Sequence, residues 1–75
     1  MKPTTLKYGE KLRIKPALGT TTETAYFVRR TPARPGRKAV NYVRFPEFAG
    51  LNGPDDDGTC EMSDYDLSRR GERVG

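Results

Sequence analysis

The chain has 75 residues, of which 33% are apolar and 32% charged; it has no histidine, and its formal net charge is +4. A chain this short buries only roughly 60% of its unfolded surface, so the expectation is one small domain with a thin core. No apolar run approaches the roughly 18 residues of a membrane-crossing helix. The single Cys60 excludes an internal disulfide framework or a multi-cysteine metal site, and Met1 to Lys7 lacks a signal peptide's apolar core, which points to the cytoplasm.

In chain order, Leu6 to Tyr8 is expected to pair as a sheet edge before Gly9 turns the chain, giving an N-terminal edge segment over residues 1–8. In Lys11-Leu12-Arg13-Ile14-Lys15, apolar positions alternate with cations, a half-buried strand closed by Pro16. Thr22 to Arg30 and Ala39 to Phe45 are rich in the Thr, Tyr, Phe and Val that suit a pleated surface, with Val43 and Phe45 inward and Tyr42 and Arg44 outward. Between them, Thr31-Pro32-Ala33-Arg34-Pro35-Gly36 reads as the tip of an antiparallel hairpin. Gly58 to Met62 makes a fourth strand, with Cys60 and Met62 on one face and Cys60 packed as a small hydrophobe. Ser63 caps a short helix with Asp66 three residues on, Gly71 ends it, and Leu67 plugs one end of the sheet. Past Gly71 only Val74 is apolar, so residues 68–75 are expected to be a flexible basic tail.

Several short strands without a long helix indicate a small barrel or a strongly bent sheet. Gly9-Glu10-Lys11-Leu12-Arg13-Ile14-Lys15 resembles the opening strand of the SH3-like barrels found as Tudor and KOW modules. Tyr26-Phe27-Val28-Arg29 resembles their second strand and Tyr42-Val43-Arg44-Phe45 their third. Cys60 to Leu67 resembles the closing strand, one-turn helix and terminal leucine. The resemblance implies a mainly β domain over residues 9–67, an SH3-like barrel of four or five short antiparallel strands with one short C-terminal helical turn. Residues 46–58 depart from it, standing where such barrels have a tight turn.

Charge is sharply segregated. Residues 1–45 carry eleven basic side chains against Glu10 and Glu23, a net of +9, whereas residues 46–66 carry seven acids and no cation. The segment from Arg29 to Lys38 holds five cations, Arg29, Arg30, Arg34, Arg37 and Lys38. A basic hairpin of this kind can lie along a nucleic-acid backbone, each cation on a phosphate releasing counterions. Arg13 and Arg44 add further phosphate contacts, and Tyr26 and Tyr42, if outward, offer stacking platforms for unpaired bases. The plain alternative is a solvated loop that keeps the protein soluble.

The acidic stretch Asp55-Asp56-Asp57-Gly58 has partial calcium-loop spacing, but no helix precedes it, and Asp and Gly favour turns for backbone reasons alone. Phe45 to Leu51 either folds over the core or leaves Phe48 and Leu51 as docking anchors. With Asp55, Asp56 and Asp57 these define the second functional reading, an adaptor or inhibitor of the phage or mobile-element type that meets a basic protein. Pairing of the basic and acidic regions between two copies would instead give a homodimer. Catalysis is not expected. Histidine is absent, no glycine-rich phosphate loop is present, and Cys60 has Glu61 beside it, which disfavours a thiolate. The sequence therefore implies no metal and no cofactor, and DNA, RNA or a basic protein as partner.

Overall fold

Alternation of Leu12 and Ile14 with cations gives a strand one wet and one dry side. The computed structural model, which describes residues 2–16, 19, 21–51 and 53–74, places it at Lys11–Ile14 as β1. Among the described residues the remaining strands are β2 (Glu23–Thr31), β3 (Val40–Arg44), β4 (Thr59–Ser63) and β5 (Gly71–Arg73), with one helix, α1 (Asp64–Arg70), before the last. Single 3-10 turns occupy Pro3–Thr5 and Pro46–Phe48. The protein is mainly β, and its strands form one antiparallel sheet in the order β4-β3-β2-β1-β5.

The inner side of the sheet carries Leu12, Ile14, Ala25, Phe27, Val43 and Met62, joined by Phe45, while Leu6 and Leu67 close the core. Burying each large apolar side chain is worth about 1.5–3 kcal/mol, so a core of this size needs all of them. Ser63 caps α1 as the sequence indicates, its hydroxyl accepting from the Asp66 N–H at 3.1 Å. Asp64 and Asp66 in the first turn and Arg69 and Arg70 in the last complement the helix dipole.

Three expectations need correction. Leu6 to Tyr8 does not pair as a sheet edge: the Pro3–Thr5 turn drives Leu6 into the core, and β5 takes the place beside β1. The supposed flexible tail is structured, because Ser68–Arg70 complete α1 and Gly71–Arg73 pair with Leu12–Ile14. Gly71 ends the helix with φ −99°, so the chain runs straight into an extended strand, where backbone pairing substitutes for the missing apolar anchors. Cys60 is exposed even though it pairs with buried Val43. β4 is the outermost strand, and α1 covers its Met62 end rather than its Cys60 end. Of the two alternatives for Phe45 to Leu51, Phe48 takes the core cap: it is half-buried and stacked on Phe45, ring centroids 5.2 Å apart, and leaves the set of protein-interface candidates.

Glycine is indispensable at position 58. Its φ is +86°, and an added Cβ would stand 2.1 Å from the Phe45 carbonyl oxygen. That close approach brings the acidic segment back to the sheet, with the Phe45 N–H donating to the Gly58 carbonyl at 2.9 Å.

Candidate functional site

Strand register decides which side chains share a face, since neighbours along a strand point to opposite sides. Lys11 pairs with Tyr26 and Tyr26 with Arg44; one row on, Arg29 pairs with Tyr42. These five side chains stand on the outer face, joined by Arg13 opposite Thr24. Cations and tyrosines alternate across it, flanked by two exposed acids, Glu61 opposite Tyr42 and Glu72 opposite Arg13. The Arg29 guanidinium lies 4.1 Å from the Tyr42 ring centroid and that of Arg44 lies 5.3 Å from Tyr26.

This arrangement depends on a bulge. The β2–β3 register shifts between Phe27 and Arg29, leaving Val28 without a partner. An extra residue in one strand reverses the side on which every later side chain emerges. Arg29 therefore joins Tyr26 on the outer face, and Arg30 turns to the inner side opposite buried Asn41. There Arg30 donates to both carboxylate oxygens of Asp64, Nε–Oδ1 at 3.0 Å and Nη2–Oδ2 at 2.6 Å. The Asn41 Nδ2 amide donates to Asp64 Oδ1 at 2.7 Å and to the Met62 carbonyl at 3.2 Å. The Arg30 hydrogen bonds, aided by that of Asn41, hold the Asp64 carboxyl below its ordinary range, and the bond to Asp64 raises Arg30. Arg30 belongs to this structural cluster and leaves the set of candidate phosphate ligands.

The hairpin tip carries the other cations. Arg34 and Arg37 exchange backbone hydrogen bonds at 3.0 and 2.8 Å around Pro35-Gly36. Gly36, at φ +78°, takes the conformation that a turn with proline at its second position demands of its third. Arg34, Arg37 and Lys38 are exposed. A cavity of about 220 Å³ separates them from Tyr42 and is lined also by Thr31 and Val40.

Most acids of the 46–66 segment are engaged within the fold. Asp56 accepts from the Gly58 N–H at 2.9 Å. Asp57 accepts from the Thr59 hydroxyl at 2.6 Å and from the Thr59 N–H at 3.0 Å; these bonds, with the Arg44 charge, lower its pKa. Glu47 shares a side-chain hydrogen bond with Glu23, which raises the Glu23 carboxyl together with desolvation and the Glu47 charge. Asp55 is exposed, as is Leu51 at 73%. Among the described residues, no group of three or more His, Cys, Asp or Glu side chains is placed to hold a metal ion.

The structure thus brings together Arg13, Tyr26, Arg29, Tyr42 and Arg44 on the sheet, and Arg34, Arg37 and Lys38 on the adjoining hairpin. It adds Lys11, whose alternation with Leu12 already assigned it to the wet side. It also adds Tyr8, 83% exposed beside Tyr26 and Arg44, for which no periodicity gave a signal. Among the described residues no helix is long and apolar enough to cross a membrane. Comparison with protein-family models, with curated proteins and with solved structures found no match.

Proposed function

We propose that the chain is a non-enzymatic nucleic-acid-binding module of SH3-like type, which lays a phosphate backbone across the outer sheet face and along the β2–β3 hairpin. The observation that carries this reading is the convergence of Lys11, Arg13, Arg29 and Arg44 with Tyr26 and Tyr42 on one face, continuous with Arg34, Arg37 and Lys38. Cations position phosphates, and aromatic faces interleaved with them serve bases of any sequence. The strand order, with a helix between β4 and β5, supports the SH3-like assignment. An exposed free thiol at Cys60 favours a reducing compartment, the cytoplasm.

Fluorescence anisotropy with labelled DNA and RNA oligonucleotides over a salt series tests the reading. Wild-type protein should bind saturably at about 150 mM salt. The double variant R29E/R44E and the hairpin variant R34E/R37E should each weaken binding and flatten the salt dependence by about one unit of slope per lost phosphate contact. Absence of saturable binding to any probe rejects it. A second reading, an adaptor that docks a basic protein, rests on Leu51 exposed close to Asp55, and gains ground on that outcome.

A further inference from the structure

Tyr8 is the most exposed large hydrophobic side chain of the described residues, at 83%, and among them it has no ring, ion or hydrogen-bond partner for its side chain. Its backbone is nonetheless fixed. The Gly9 N–H donates to the Phe27 carbonyl at 2.7 Å, the Phe27 N–H to the Glu10 carbonyl at 2.9 Å, and the Glu10 N–H to the Lys7 carbonyl at 3.0 Å. A tyrosine presented to water from an anchored turn loses little further freedom when a ligand covers it.

Tyr8 lines a cleft of about 280 Å³ together with Gly9, Tyr26, Phe27, Val28 and Arg44. The bulge at Val28 opens the sheet surface at this point, and Gly9 contributes no side chain to fill it. Its volume suits one planar ring system rather than the breadth of a duplex. The charges around it select the guest. Arg44 already stands over the Tyr26 ring, so a second cation would meet repulsion, whereas an anionic linker beside a flat ring meets attraction. Glu10, the acid nearest in sequence, is paired with Arg73 at 2.6 Å; Asp57 lies near enough to Arg44 for the Arg44 charge to lower its pKa. Lys11, opposite Tyr26, supplies another cation at the rim.

Resting on the nucleic-acid reading above, we propose that Tyr8, Tyr26 and Arg44 form a slot for one unpaired base, Tyr8 stacking on it and Arg44 holding the adjoining phosphate, so that the ligand is single-stranded. In a duplex the bases are already stacked on one another, and Tyr8 would find no face to cover. Stacking of a base on an aromatic side chain is worth enough that its removal lowers affinity about fivefold or more.

The test compares wild type, Tyr8→Ala and Tyr8→Phe by anisotropy on oligothymidylate and oligouridylate of about ten nucleotides, and on a duplex of equal length. An amide NMR spectrum of each variant confirms the fold, which Tyr8 does not support through its side chain. The expected result is tighter binding of single strands than of duplex, an approximately fivefold or larger loss in Tyr8→Ala on single strands, and retention in Tyr8→Phe. Equal single-strand affinity for Tyr8→Ala and wild type, or duplex bound as tightly as single strands, overturns the slot. If R34E/R37E, outside the slot, still weakens binding in that case, the broader reading stands without it. If wild type binds no probe, both fall.

Discussion

Arg30 and Asp64 stand 34 residues apart in sequence, yet meet through two charge-assisted hydrogen bonds. Their side chains are 22% and 39% exposed, so solvent screening limits the pair to the roughly 0–1 kcal/mol of surface ion pairs. Its pH dependence has a definite sign. The folded Asp64 pKa lies below the ordinary 3.8, so its contribution is fully present above that value and is lost as the pH falls through the folded one. Glu23 works in the opposite direction: its folded pKa is raised above 4.5, so its pairing with Glu47 favours the fold in acid and costs stability as the pH rises. Thermal unfolding should therefore show Asp64→Asn less stable than wild type at pH 7 by about 1 kcal/mol, counting the ion pair and the Asn41 hydrogen bond. The two curves should converge as the pH falls below 3.8 and through the lowered folded value. A difference that stays constant over that range would show that Asp64 acts through shape alone.

At the scale of elements, the hairpin, the capped helix and four of the five strands were legible in the sequence because each rests on local chemistry. Alternation marks a strand, Pro-Gly marks a turn, and Ser63 supplies an acceptor for an otherwise unpaired N–H. Strand β5 was not legible. Gly71, Glu72 and Arg73 have no apolar alternation, and their extended conformation comes from pairing with Leu12–Ile14 and from Arg73 reaching the Thr5 carbonyl at 2.9 Å and Glu10 at 2.6 Å. Truncation after Arg70 should therefore lower the unfolding midpoint and speed amide exchange at Arg13, whose backbone faces Glu72 of β5, because β1 would become an edge. A flexible tail would leave both unchanged. For the same reason Tyr8 escaped the sequence reading: only the Leu6–Gly9 turn, fixed against β2, sets it beside Tyr26.

Over the whole molecule, charge segregation becomes a question of which acids remain free. The chain carries a net of +9 in residues 1–45 and −7 in residues 46–66, a distribution that in sequence alone weighs against a phosphate-binding surface. In the fold Asp64 is ion-paired with Arg30 and Asp57 lies near the Arg44 charge, whereas Glu47 faces the like charge of Glu23 and Glu61 stands exposed opposite Tyr42, so the acidic segment is compensated only in part. Exposed Asp55 still contributes to the long-range field. Asp55→Asn should thus raise nucleic-acid affinity roughly twofold at low salt, with the gain fading towards about 150 mM as screening sets in. A loss of affinity on that substitution would make the acidic loop part of the binding surface and favour the protein-docking reading.

By itself the sequence determined a small, mainly β domain, the tip of its basic hairpin, the cap of its helix and the alternation that sends Leu12, Ile14 and Val43 inward. These depend on periodicity and turn chemistry, which act over a few residues. Only the tertiary structure decided that Arg30 leaves the basic face, that Gly71–Arg73 completes the sheet, that Cys60 is open to solvent and that Tyr8 stands beside Tyr26 and Arg44. Each follows from strand register, a bulge or a contact between distant segments, and a one-residue change in register reverses the side on which a residue emerges without altering the local pattern.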